Sequence, residues 1–287
     1  MQLLTIDAEK CKGDGMCVQL CTGALVQKGK GTVPVLEFPE LCISCGHCVA
    51  ECPTDAIMMY RMDMDNFPLI PEEARPEPEA LLEFLRMRRS VRRYKRKVVP
   101  KYMVESLVEA ARYAPTGSNA QSMCYVIVQD RQVIEDLARL CIDVHRRDLE
   151  DMRRRLAQPG LGAVEETWLR DEVSSVQDLV ERFDQGEDTL FYHAPGLVVI
   201  HTPPRGATTP LEDATLVAYN MMLMAEAQGL GTCFIGFFYP QAAKSKEIRE
   251  ALTIPLKNEI LMAFTFGYPA IRWRRLVDRR KPEVKWM

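Results

Sequence analysis

The chain has 287 residues, of which 47% are hydrophobic and 27% charged, and its formal net charge at neutral pH is −3. The length exceeds the usual size of one domain and the hydrophobic fraction is ample for a buried core, so we expect one large domain or two unequal ones. The small net charge does not point to nucleic acid or a membrane surface as a partner.

The ten cysteines lie mostly at one end of the chain, seven of them before residue 53 and only Cys124, Cys141 and Cys233 after it. Such clustering is typical of a reducing compartment rather than of a disulfide framework. Residues 1–15 lack the basic start and apolar run of a signal peptide, and no apolar run reaches the roughly 18 residues of a membrane helix. We therefore expect a cytoplasmic protein without a membrane segment.

The strongest motif runs from Cys42 to Pro53 and reads CISCGHCVAECP. Its spacing, C-x-x-C-x-x-C-x-x-x-C-P, lets three thiolates of one tight loop bind an iron–sulfur cluster while the fourth reaches a second cluster. Zinc also binds C-x-x-C pairs, but zinc sites usually separate two pairs by a dozen or more residues. The spacing therefore favours an iron–sulfur cluster.

The first sixty residues contain an internal duplication. An offset of 31 residues superposes Cys11 on Cys42, Cys17 on Cys48 and Cys21 on Cys52. Residues 1–60 resemble the bacterial two-cluster ferredoxins, small domains in which each half lends its last cysteine to the cluster of the other half. The resemblance implies two ligand sets, one of Cys21, Cys42, Cys45 and Cys48, and the other of Cys11, Asp14, Cys17 and Cys52.

Asp14 stands where the duplication calls for a cysteine, opposite Cys45. A carboxylate is a harder and weaker ligand for this iron than a thiolate. The second cluster is therefore expected to be either a 4Fe–4S cluster with Asp14 on its labile corner or a 3Fe–4S cluster. Alternatively, Asp14 only forms the turn in KGDGM. A domain this small buries little apolar area, so we expect its clusters to provide much of its stability.

Residues 61–79 form the predicted linker between two domains. The stretch 61–78 contains four prolines and no hydrophobic period, which is typical of a semi-rigid tether. A helix is predicted to begin near Glu77, with Leu81, Leu82 and Leu85 on one face.

Residues 86–97 read RMRRSVRRYKRK and contain eight lysines or arginines. The stretch could be a solvated face, a nucleic-acid surface or an anion site for a phosphorylated cofactor. It resembles the opening motif of the nitroreductase family of flavoproteins. The resemblance implies that these side chains bind the phosphate and the pyrimidine edge of FMN, and the motif consists of Arg88, Arg89, Ser90 and Arg92, with Tyr94 after it.

Two later stretches resemble the same family. A helix after Pro100, with Val104, Leu107, Val108 and Ala111 on its buried face, precedes a loop that contains Pro115, Thr116, Gly117, Asn119 and Gln121. In the family this loop contacts the isoalloxazine ring, which makes Asn119 a candidate hydrogen-bond partner of the ring; alternatively Asn119 is a turn former. Here Ser122 replaces the usual proline.

The second of these stretches follows an apolar helix that Gly229 is predicted to end. It resembles the G-L-G-T segment of the family, whose backbone lies against the flavin and whose glycines allow that approach. The residues implied are Gly231, Thr232, Ile235 and Gly236. Near the end of the chain, Arg279 and Arg280 are candidates for a second phosphate clamp, with surface ion pairs as the alternative.

The remaining pattern predicts an α+β fold, with residues 80–287 forming the α+β sandwich of nitroreductases. Strands are predicted at 125–129, 197–201 and 259–267, and helices around 131–155, 211–228 and 244–252. Residues 145–195 have no clear counterpart and are predicted to be an insertion that covers the flavin. Four aromatic residues of that insertion either line a substrate pocket or pack internally, namely Trp168, Phe183, Phe191 and Tyr192.

Together the two resemblances imply an iron–sulfur flavoprotein oxidoreductase. Electrons would pass singly through two clusters, pair on FMN and leave to an electron-poor organic acceptor such as a nitroaromatic or a quinone. No catalytic residue of the chain is expected, because FMN carries the chemistry. The resemblance also implies a homodimer with FMN at the interface.

Three other functions remain open at this point. NAD(P)H rather than an external ferredoxin could be the donor, with the clusters as an electron exit. The protein could instead be a non-enzymatic electron-transfer adaptor or redox sensor. DNA binding through residues 86–97 is a further alternative, although we expect no nucleic-acid and no membrane partner.

Overall fold

The structure, a computed structural model, describes residues 2–287. The chain divides into two compact units, of which the first ends at Glu77 and the second begins at Pro78. The division falls within the proline-rich stretch 61–79. Two single turns of 3-10 helix, Met64–Asn66 and Glu72–Ala74, interrupt that stretch.

The first unit repeats its local structure at the spacing of the cysteines. Helices α1 and α2 each follow a left-handed glycine, Gly15 or Gly46, with φ of 75° and 76°. Strand β1 pairs antiparallel with β4, and β2 pairs antiparallel with β3. The elements are β1 (Leu4–Ile6), α1 (Met16–Leu20), β2 (Leu25–Val26), β3 (Val35–Leu36), α2 (His47–Glu51) and β4 (Ile57–Met59).

The second unit is built around one four-stranded sheet with the order β5-β6-β8-β7, in which all neighbours are antiparallel. Its strands are β5 (Cys124–Val128), β6 (Gly196–Thr202), β7 (Gly231–Phe234) and β8 (Glu259–Gly267). Its helices are α3 (Pro78–Met87), α4 (Lys101–Arg112), α5 (Arg131–Leu156), α6 (Ala163–Asp184), α7 (Pro210–Ala227), α8 (Tyr239–Lys244) and α9 (Lys246–Ala251).

The sheet separates two hydrophobic cores, because successive side chains of a strand point to opposite faces. On β6, Leu197 and Val199 pack with α5, α6, α8 and α9, whereas Val198 and Ile200 pack with α4 and α7. This arrangement confirms the α+β class predicted from the sequence. Of the helices formed by residues 2–287, none combines the length and apolar character that crossing a bilayer requires.

Two local predictions differ from the structure. The helix predicted around 244–252 forms as the shorter α9, because the Ser245 hydroxyl accepts a hydrogen bond from the Ile248 N–H (3.3 Å) and caps its start. Helix α8, which precedes it, is not predicted from the sequence. Helix α3 buries none of its residues. The leucines on its predicted apolar face therefore remain exposed, namely Leu81, Leu82 and Leu85.

Candidate functional site

In the first unit, the two predicted ligand sets surround two separate cavities. One cavity is lined by Cys21, Cys42, Cys45 and Cys48. The other is lined by Cys11, Asp14, Cys17 and Cys52. Each cavity thus receives the last cysteine of the opposite repeat, as the resemblance to two-cluster ferredoxins implies.

Equivalent backbone amides point at those two exchanged cysteines. The Leu25 N–H donates to Cys21 Sγ (3.4 Å), and the Ala56 N–H donates to Cys52 Sγ (3.3 Å). Hydrogen bonds to sulfur stabilise negative charge on thiolates and are one determinant of cluster potentials. The structural repeat therefore extends to the electrostatic surroundings of the sulfur atoms.

Two of the thiols, those of Cys17 and Cys48, lie where ionisation needs a positively charged partner. Burial raises the pKa of Cys17, and burial together with the neighbouring Cys45 raises the pKa of Cys48 to about 11. A ligand cysteine must be a thiolate, so iron would have to supply the compensating charge. These residues fit an iron–sulfur cluster on that ground.

The cysteines surround each cavity instead of converging on a point. Within residues 2–287, no three His, Cys, Asp or Glu side chains are grouped as ligands of a single metal ion. A four-iron cluster does not need such a group, because each of its cysteines binds a different iron atom.

Asp14 lies at the wall of its cavity and also has a local role. Its Oδ1 accepts a hydrogen bond from the Met16 N–H at 3.1 Å, which closes a turn at the start of α1. The turn uses Oδ1 alone, so Oδ2 could serve as a ligand at the same time. Iron binding by Asp14 stays a prediction.

In the second unit, two of the three predicted flavin motifs meet at one edge of the sheet. Ser90 pairs in parallel with Thr232 of β7, and the Val91 N–H donates to the Thr232 carbonyl at 2.9 Å. A Cβ on Gly231 would lie 2.4 Å from Val91 Cγ2, so this glycine is required by the pairing itself. A Cβ on Gly236 would meet no atom within 4 Å, which leaves open space for a ligand there.

The basic side chains of this edge lie near two groups that sequence reasoning did not single out. Burial raises the pKa of the Cys233 thiol, and the nearby Arg92 and Ser90 oppose the rise. Burial also raises the pKa of Glu226, and Arg88 opposes it. Arg89 has a different role within the chain, because its Nη1 donates to carbonyls at the end of α3 while its buried Nε has no partner.

The third motif, residues 115–121, forms a constrained loop before β5. Ser118, Asn119 and Gln121 have left-handed φ angles of 53°, 54° and 48°. Asp213, in the first turn of α7, accepts hydrogen bonds at Oδ1 from the Gly117 N–H (2.9 Å) and from the Thr209 hydroxyl (2.9 Å). Asp213 is buried, and it anchors the loop.

This loop and the other two motifs lie at opposite edges of the sheet. β5 and β7 are the edge strands, with β6 and β8 between them, which corresponds to about 14 Å at the usual strand spacing. The strand order therefore separates β5, which the loop of Asn119 precedes, from β7, which carries Gly231 and pairs with Ser90. Arg279 and Arg280 lie in the exposed segment 271–287, which forms no helix or strand.

The predicted insertion contributes helix α6 and the end of α5. Tyr192 lines a cavity of about 790 Å³ together with Arg92, and Trp168 lines a second cavity of about 380 Å³ together with Gly236. The other two aromatic residues pack internally. Phe191 is fully buried against Phe238, with ring centroids 4.9 Å apart, and Phe183 packs on the same core.

Comparison with known proteins gives two family matches. The nitroreductase family model matches residues 85–268, which is more than half of the chain. The model of the 4Fe–4S binding domain matches residues 37–58.

Similar individual proteins are distant. The 4-nitrobenzoate reductase of Nocardioides sp. (strain LMS-CY) is 28% identical over 214 residues, covering 68% of this chain and 83% of the relative. A nitroreductase with bound FMN from Desulfitobacterium hafniense DCB-2 has a TM-score of 0.54 at 18% identity, covering 71% of this chain and 97% of that one. One from Bacteroides fragilis NCTC 9343, also with bound FMN, has a TM-score of 0.51 at 24% identity and the same coverage.

Proposed function

The chain belongs to the nitroreductase family, and from this premise we propose that it is an FMN-dependent oxidoreductase that takes electrons through iron–sulfur clusters and delivers them to an electron-poor organic acceptor. One observation carries the proposal. The arginine and serine motif pairs with the glycine segment on β7, in a chain that also holds two cavities lined by the predicted cluster ligands.

The residues at the β7 edge fit FMN chemically. Arg88, Ser90 and Arg92 supply guanidinium and hydroxyl donors for a phosphate and for the pyrimidine edge of the ring. The open space at Gly236 permits close approach of a flat ring to the backbone. Bound FMN would exchange electrons singly or in pairs.

The acceptor reaction has a defined balance. A nitroaromatic takes up two electrons and two protons, loses one oxygen as water and becomes a nitroso compound. Two single-electron transfers from the donor supply the electrons, and solvent supplies the protons. We place the clusters on the donor side because they carry single electrons.

The test compares electron donors on variants of the cluster motif. Reduced ferredoxin should support steady-state reduction of 4-nitrobenzoate or a quinone, and Cys45→Ser should abolish that turnover. Dithionite should still support turnover in Cys45→Ser, because it can reduce bound FMN directly. NADPH-driven turnover that survives Cys45→Ser would contradict the proposed route, and failure with every acceptor would favour an electron-transfer adaptor or redox sensor.

We also propose that FMN binds between two copies of the chain. The support is the separation of the loop 115–121 from the β7 edge within one chain. The segment 271–287 also carries exposed apolar side chains, including Trp273 (53% exposed) and Trp286 (91%), and an exposed apolar segment commonly marks an interface.

Mixing two defective variants tests the shared site. Arg92→Ala and Asn119→Ala should each bind FMN poorly, because every site in either homodimer lacks one partner group. When both chains are co-expressed with different tags, the heterodimer has one site with both groups intact. Recovery of about one FMN per heterodimer is expected from this count, and no recovery would contradict a shared site.

A further inference from the structure

The cavity beside Gly236 is an open one, lined by α5, α6 and α8, with a volume of about 380 Å³. This size lies in the usual range for small-molecule pockets. Two aromatic side chains at its wall are exposed, Trp168 by 62% and Phe237 by 38%. The cavity therefore offers aromatic surface next to a predicted flavin contact.

A hydrogen-bond chain at this cavity ends in an unpaired acceptor. The Phe237 carbonyl can only accept, so His145 Nε2, 2.7 Å away, must carry the proton. His145 Nδ1 is then an acceptor and faces Gln241 Nε2 at 3.4 Å. This fixes the orientation of the Gln241 amide, whose buried Oε1 has no partner.

His145 stays neutral in this arrangement, because burial lowers its pKa. The imidazole therefore does not add positive charge to the cavity. Gln241 is 9% exposed, and a buried carbonyl oxygen without a donor is costly. A ligand that donates a hydrogen bond would remove that cost.

The charged side chains at the cavity favour a cation. Three carboxylates line the cavity, those of Asp148, Asp151 and Glu172, whereas Lys244 contributes the one ammonium group in its lining. Asp148 pairs with Lys244 at 3.3 Å, and Asp151 pairs with Arg154. Among the ion pairs formed by residues 2–287, none includes Glu172, so its half-buried carboxylate is available to a ligand.

We propose that this cavity binds the electron acceptor, and that the preferred acceptor is an electron-poor aromatic compound with a protonated amine. The ammonium faces Glu172 and the Gln241 carbonyl oxygen, and the ring lies against Trp168 and Phe237. The inference rests on the proposed function, because Gly236 connects the cavity to the flavin. The amine takes no part in the redox step, in which the nitro group accepts two electrons and two protons and releases water.

Three probes of the same shape test the preference on the flavin-loaded holoenzyme: 4-nitrobenzylamine, 4-nitrobenzyl alcohol and 4-nitrobenzoate. Dissociation constants are measured by calorimetry on the oxidised protein, and kcat/KM is measured with dithionite as donor. The amine should exceed the benzoate about tenfold in both affinity and kcat/KM, as expected for one partly screened charge pair. The alcohol should lie between them.

Substitutions assign the preference to particular groups. Glu172→Gln should bring the amine and the alcohol to similar affinity. Gln241→Leu should weaken both of these donors relative to the benzoate. Asp171→Asn is the matched control, because Asp171 is the exposed neighbour of Glu172 on α6 and does not line the cavity; it should leave the preference unchanged.

The outcomes separate this inference from the proposed function. Equal binding of all three probes, or a preference that survives Glu172→Gln, would overturn the inference even if every probe were reduced. A charge preference in calorimetry without turnover would support the cavity as a cation site and overturn the proposed reaction.

Discussion

Asp14 is a candidate for two chemical roles, one as a turn former and one as an iron ligand. Its carboxylate closes a turn through the Met16 N–H and also lines the cavity with three cysteines. A substitution that keeps the turn but changes the ligand can separate these roles, because Asn accepts the same hydrogen bond yet binds iron poorly.

We predict that Asp14→Cys raises the iron content toward two four-iron clusters per chain and leaves the sulfide content unchanged, since a thiolate binds the fourth iron more strongly than a carboxylate. Anaerobic purification with metal analysis and EPR provides the measurement. Asp14→Asn should lower the iron content if Asp14 is a ligand and leave it unchanged if Asp14 only forms the turn. No change in either variant would show that Asp14 does not control the cluster.

His145 also predicts a pH dependence of stability. Burial lowers its folded-state pKa below the ordinary value of about 6.5. As pH falls through 6.5, His145 binds a proton in the unfolded chain but stays neutral in the folded chain. Unfolding therefore becomes more favourable. His201 adds to the effect, because burial lowers its pKa as well.

The expected result is that the free energy of unfolding of the second unit decreases as pH falls from about 7.5 to about 5.5. Urea titrations at several pH values measure it. His145→Gln should reduce the slope and leave a remainder from His201, whereas above pH 7.5 its curve should run parallel to the wild type. An unaltered slope in His145→Gln would contradict the assignment.

At the scale of elements, two glycines of the same segment are expected to respond differently to substitution. Gly231 lies on β7 with Val91 packed against it, whereas Gly236 faces open space. Gly231 is therefore needed for packing against Val91, whereas the space beside Gly236 can hold a ligand.

Gly231→Ala should destabilise the second unit by about 1–3 kcal/mol through overpacking, measured as a shift in the urea midpoint. Gly236→Ala should change stability by less than about 1 kcal/mol and raise the dissociation constant of FMN about tenfold, or about 1.4 kcal/mol. Gly162→Ala is the control for the Gly→Ala change itself, because a Cβ at this position would also meet no atom within 4 Å. Normal flavin binding in Gly236→Ala would count against a flavin contact at this residue.

The sequence predicts local elements well and long-range partners poorly. The resemblance to two-cluster ferredoxins implies the two groups of residues that line the cavities, and the hydrophobic pattern predicts β8 at its observed bounds. Asp213 could not be found in this way, because its partner Gly117 lies 96 residues away, and the contact of His145 with Phe237 spans 92 residues. The order β5-β6-β8-β7 is likewise not readable from the chain order, so the sequence alone does not show that the flavin motifs lie at two edges.

For the whole molecule, the two units are expected to differ in what stabilises them. The first unit has a small core in which buried cysteines take part, and a domain of this size buries little surface. The second unit has two extensive cores that contain none of the predicted iron ligands.

Removal of iron should therefore unfold the first unit and leave the second folded with FMN bound. An anaerobic chelator, followed by limited proteolysis and flavin absorbance, measures both effects on the full chain. Proteolysis should then remove residues 1–77 and leave the remainder intact. Simultaneous loss of flavin and of the second unit would contradict independent stability.

The exchange of Cys21 and Cys52 between the two cavities also bears on how the protein matures. A nascent chain that has emerged only as far as residue 41 has neither cavity complete, because one lacks Cys52 and the other lacks every ligand except Cys21. If the two cavities hold clusters, we expect neither cluster to be complete before both repeats have left the ribosome. A chain truncated after the first repeat should then assemble no complete cluster, even with added iron.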